Sequence, residues 1–111
     1  MIVFGDPAVR PFLGREVELT DEREMHILSR HPELSNILHD CLEAALSDPD
    51  EIRRSLHAQG SHMFVRWFDA ILGGKHVVVG VVTDPHPVRD WVVPAFVARR
   101  LSEGSVLWTR G

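Results

Sequence analysis

The spacing of the apolar residues changes once along the chain, near residue 50, and that change limits the possible folds more than any other feature. Before it, Leu34, Ile37, Leu38, Cys41, Leu42, Ala45 and Leu46 recur at steps of three and four, which is one face of an α-helix. After it the period is two, and the β-branched and aromatic residues concentrate there. Helices that come first and consecutive strands that follow specify an α+β fold. The expected architecture is two N-terminal helices packed on one face of an antiparallel sheet of four to five strands.

Local signals place the elements. Residues 1–4 form a short apolar run closed by Gly5-Asp6-Pro7, a turn signal, and residues 15–19 alternate as a short strand. Thr20 or Asp21 caps a first helix that runs to about Arg30, with Glu22 and Glu24 at its positive end. Pro32 suits the first position of the second helix, because the N–H it lacks would be unpaired there. Asp48-Pro49 stops that helix, since a residue before proline avoids the helical region. Strands are expected from Ile52 onward, over 63–72, over 75–83 after Gly73-Gly74, over 88–98, and last over 106–108. Pro94 cannot donate to a β-ladder, so its strand lies at an edge or carries a bulge.

At 111 residues the chain supplies one domain, residues 1–111, with enough surface to bury a core unaided. It is 44% hydrophobic and 25% charged, which excludes a disordered or low-complexity chain. A single cysteine, Cys41, excludes an internal disulfide framework and a multi-cysteine zinc site. No apolar run reaches the roughly 18 residues that span a bilayer, and no leader pattern opens the chain. A cytoplasmic protein without a membrane partner is the default expectation. The net charge of −4 argues against a coat for duplex nucleic acid, while leaving room for a basic pocket on an acidic body.

Seven histidines direct the search for chemistry. His31 stands before Pro32, where the N-terminus of the second helix would favour a neutral, proton-accepting ring and attract a phosphate; on chemistry alone, a residue that merely caps the helix and joins two elements is the simpler reading. His26 and His31 are five residues apart, a poor spacing for two ligands on one helical face, and no HExxH is present, so no metal cofactor is expected. Arg53, Ser55 and His57 share one side of an alternating strand, and an arginine, a hydroxyl and an imidazole together can hold a phosphate and move a proton. A charged edge strand has the same pattern. Arg66 lies between Phe64 and Phe68 on one side of its strand, stacked or snorkelling. Cys41 falls on the apolar helix face and reads as core.

Several short segments together resemble a known family. They are Leu19-Thr20-Asp21-Glu22-Arg23, His26-Ile27-Leu28, Arg30-His31-Pro32-Glu33-Leu34, the run from Asp48-Pro49-Asp50-Glu51-Ile52 to Ser55, and the ending Gly104-Ser105-Val106-Leu107-Trp108. This pattern is similar to the phage-type members of the barnase–EndoU–colicin–RelE-like group of small prokaryotic RNases and toxins. The resemblance implies helices before a four-stranded antiparallel sheet and metal-independent RNA cleavage by attack of the 2′-hydroxyl. RNA would be the substrate and a small antitoxin protein a possible partner. His31 or His26 would then serve as base or acid, Arg53 and Arg66 would hold the phosphate, and Ser55 would orient it. The late strand departs from the family. Where its members commonly read Val-Val-Thr-Ala-Tyr, this chain has Val92-Val93-Pro94-Ala95-Phe96, losing both hydroxyls. A catalytically degenerate RNA- or protein-binding member of the same fold is the alternative.

Overall fold

A computed structural model of the protein describes residues 2–4, 16–54, 61–85, 88–101 and 104–110. Its elements, in chain order, are β1 (Ile2–Phe4), β2 (Val17–Leu19), α1 (Asp21–Arg30), a 3-10 turn (Pro32–Leu34), α2 (Leu38–Ser47), β3 (Glu51–Arg54), β4 (Ser61–Phe68), β5 (Lys75–Pro85), β6 (Val88–Ala98) and β7 (Val106–Thr109). The α+β class follows from the sequence; the sheet is larger than expected. Among the described residues it has seven strands in the order β1-β2-β6-β5-β4-β3-β7. It is also mixed: β2 runs parallel to β6, with Val17 opposite Asp90 and Glu18 opposite Trp91, and every other pairing is antiparallel. The two N-terminal strands have three residues each, too short for periodicity to reveal their partners.

The capping residue of α1 is Thr20, whose hydroxyl accepts from the Arg23 amide at 3.2 Å. The second helix begins later than the sequence implies. Pro32–Leu34 closes a single 3-10 turn, the chain continues through residues 35–37, and α2 opens at Leu38 with no side-chain cap. The apolar period runs through both pieces because Leu34 and Leu38 are both buried in the same core. Asp48 ends α2, as Pro49 requires. The side chain of His39 on α2 meets the Glu24 carboxylate of α1 and ties the helices together.

One apolar core joins the helices to one side of the sheet. Ile27 of α1 and Leu38, Cys41, Leu42, Ala45 and Leu46 of α2 pack with Ile52, Phe64, Val77, Val79, Val81 and Val92. The alternate strand residues Met63, Val65 and Val78 make a smaller cluster with Phe96 and Leu101. β5 is central and apolar on both sides, which accounts for its near-continuous valines.

Pro94 sits in a bulge. Val79 faces Ala95 and Val81 faces Val92, so Val93 and Pro94 together oppose the single residue Gly80. A Cβ on Gly80 would stand 2.5 Å from Pro94 Cγ and 2.7 Å from its Cδ, so glycine is the residue that admits the ring. Gly74 makes room for a ring in the same way. At φ +109 it gives way to Trp67, whose Cζ2 would lie 2.4 Å from an added Cβ.

Gly80→Ala is expected to lower stability in urea denaturation by about 1–3 kcal/mol, the usual cost of overpacking. Removing the ring in the same chain with Pro94→Ala should restore most of that loss. Additive effects of the two substitutions would show that the close approach does not set the bulge.

Candidate functional site

The site is built where β6 loses a neighbour. β2 accompanies β6 only at Asp90 and Trp91, and at Thr20 the chain turns into α1. Beyond that point the outer edge of β6 faces α1 across a cleft of about 460 Å³. Ile27 of α1 is buried against the core, so the helix presents Arg23, His26 and Arg30 along the cleft at steps of three and four. The opposite wall is β6 from Val93 to Val97, including the bulge.

His31 completes the cleft by leaving the helix. It is the C-cap of α1, with φ −131° and ψ 68°, and its amide donates to the Ile27 carbonyl at 2.8 Å. The turn there brings His31 to the same cleft as His26, although five residues on one helix would have parted them. The expectation that His31 sits at the positive end of the second helix is corrected: it follows the last turn of α1 and precedes a 3-10 turn, with no side-chain cap bond. The anion-attracting element is instead the pair of guanidiniums. Glu33 Oε2 lies 3.5 Å from His31 Nδ1, within ion-pair reach of a protonated ring.

The lining thus holds two arginines, two histidines and apolar residues, with no carboxylate and no hydroxyl side chain among the described residues. On a chain of net charge −4 this is a local reversal of sign. Arg23 and Arg30 escaped the sequence reading. Their signal was the Arg23, His26, Ile27, Arg30 spacing, which is one helical stripe.

The remaining candidates lie elsewhere. Arg53 Nε donates to Glu51 Oε1 at 3.0 Å and lines a shallow pocket on the side of the sheet away from the helices. Arg66 donates from Nη1 to the Asp48 carbonyl at 2.6 Å and to its carboxylate at 2.9 Å, with its guanidinium 5.9 Å from the Phe68 ring centre. Arg110 also bonds the Asp48 carbonyl at 2.6 Å, and Asp50 accepts from the Trp67 amide at 2.6 Å. This cluster fastens the end of α2 to β3, β4 and the residue after β7. The structure therefore does not bring Arg53 or Arg66 to His31. Ser55 and His57 lie outside the described residues. Among the described residues no group of three His, Cys, Asp or Glu side chains is arranged to hold a metal ion, and no helix is long and apolar enough to cross a membrane.

Cys41 belongs to the core and not to the cleft. Burial, and secondarily the Asp40 charge, push its thiol above the ordinary value of 9.0. The folded state therefore resists forming the thiolate, and the stability linked to this group is present at neutral pH and falls as the pH rises past the unfolded value. Native protein at pH 8 should react with a thiol reagent at least tenfold more slowly than the urea-unfolded chain. Equal rates would place Cys41 at the surface.

Compared with family models, curated proteins and solved structures, the chain has no significant match to any of them.

Proposed function

We infer that the cleft between α1 and β6 binds an RNA phosphate and that the protein is a metal-independent ribonuclease of the toxin type. One observation carries this reading: two imidazoles and two guanidiniums line one cleft, with no acidic side chain in its lining among the described residues. Guanidiniums match phosphate oxygens with paired N–H groups, and histidines exchange protons near neutral pH. The resemblance to the RNase group implies the same two histidines as base and acid, but it assigns the phosphate to Arg53 and Arg66, and the cleft offers Arg23 and Arg30 in their place.

The chemistry needs nothing beyond these groups and RNA. His31 takes the proton of a ribose 2′-hydroxyl, and Glu33, 3.5 Å from Nδ1, stabilises the imidazolium that results. The 2′-oxygen attacks the adjacent phosphorus, while Arg23 and Arg30 hold the charge that grows on the phosphoryl oxygens. The bond from phosphorus to the 5′-oxygen breaks, and His26 donates a proton to that oxygen. The products are a 2′,3′-cyclic phosphate and a 5′-hydroxyl. A small protein that covers the cleft, an antitoxin in function, would silence it.

The lack of a hydroxyl side chain in the lining, among the described residues, favours a second reading, in which the protein binds RNA or a protein partner without cleaving. The two readings separate in one assay. Pure protein is incubated with total RNA and tRNA in EDTA, beside His31→Ala and His26→Ala, and the product ends are analysed. Cleavage giving cyclic phosphates, lost by at least a hundredfold in each variant, is the expected result. Because His31 makes no side-chain cap, its replacement should change stability by only about 0.5 kcal/mol. Intact RNA with a well-folded protein that still binds it would favour the binding reading. Cleavage unchanged in both variants would remove the cleft from the chemistry.

A further inference from the structure

The phosphate cleft is not the only depression at this end of the sheet. On the side away from the helices, Met63, Val65, Val78 and Phe96 floor a shallow apolar pocket with Ala98 at its side, and Arg53 and Arg100 stand at its rim. Phe96 lines both depressions. The two depressions therefore meet at Phe96, across the part of β6 that β2 leaves unpaired among the described residues. From Pro94 in the cleft to Ala98 in the pocket the two linings together take up four residue steps, about 13 Å along a strand.

We propose that this pocket is a nucleobase subsite for single-stranded RNA whose phosphate lies in the α1–β6 cleft. The proposal rests on the RNA reading of that cleft. A flat, largely apolar ring fits an apolar floor that includes Phe96, and the RNA backbone beside it meets Arg100 at the rim, Arg53 being held by Glu51 at 3.0 Å. A duplex does not fit this path, because its bases stay stacked and cannot turn onto the sheet. The length of the two linings together sets the subsite a nucleotide or two from the phosphate in the cleft, so the substrate class is unpaired RNA of at least three nucleotides.

The test uses fluorescently labelled 2′-O-methyl RNA oligonucleotides of two to six residues, which bind without being cleaved at a blocked 2′-oxygen. Fluorescence anisotropy should show affinity rising on the order of tenfold at the length where a base first reaches the pocket. Ala98→Ile fills the pocket with a residue that strands favour and adds no charge or ring. It should abolish that step and leave the dinucleotide affinity unchanged. Arg100→Gln should reduce the step, while Arg23→Ala should weaken every length alike. A step that survives Ala98→Ile would overturn the subsite, as would its absence from the native protein when Arg23-dependent dinucleotide binding persists. In both cases the cleft reading stands. No binding of any oligonucleotide would overturn the subsite and the RNA reading together. Self-association of the free protein, dissolved by Ala98→Ile, would assign the pocket to a second copy of the chain and overturn the proposal.

Discussion

The contact between Gly80 and the Pro94 ring is the constraint on which the candidate site depends. It lets β6 place Val93 and Pro94 against one residue of β5 and so remain the neighbour of the central strand while its outer edge changes course. The proline has no N–H to offer that edge. The pairing of β2 with β6 ends just before this point, and the chain leaves at Thr20 to form α1 above the open edge. A cleft follows from this arrangement of helix and strand. Pro94, which stands where the resembling family commonly has a threonine, also shapes the wall that faces the histidines and arginines.

The helix opposite that edge is fixed from two directions. Its buried Ile27 anchors it to the core, and the contact between Glu24 and His39 holds it to α2. With those positions committed, Arg23, His26 and Arg30 are left on the cleft side. Charge on the cleft is therefore a consequence of helical geometry and of which residues the core claims. The acidic surplus of the whole chain sits elsewhere, so the cleft is a local cationic field on an anionic body, the arrangement that concentrates a phosphate at one place.

Much of this was legible in the sequence. The change of period gave the class, Thr20 and Pro49 bounded their helices, and Pro94 signalled an edge or a bulge, both of which it occupies in part. The three-residue strands were visible as apolar segments, but nothing in them named β6 as the parallel partner of β2, because pairing is set by distant packing. The start of α2 was misplaced because Leu34 and Leu38 keep the apolar period across a break that changes only the backbone. Of the candidate residues, His26 and His31 line one cleft because α1 ends at Arg30, which periodicity does not reveal. Arg53 and Arg66 share an alternating pattern with functional strands, yet are engaged by Glu51 and Asp48.

The most direct test of the central claim, that the α1–β6 cleft is where this protein meets its ligand, is a titration followed by amide nuclear magnetic resonance. Isotope-labelled protein would be titrated with an uncleavable 2′-O-methyl RNA trinucleotide and, separately, with inorganic phosphate. The account predicts saturable shifts centred on residues 23–31 and 93–97, with the trinucleotide extending them to Ala98 and Arg100. Shifts confined to the Asp48, Arg66 and Arg110 cluster, or to the exposed side of α2, would contradict it and move the functional site to the other end of the molecule.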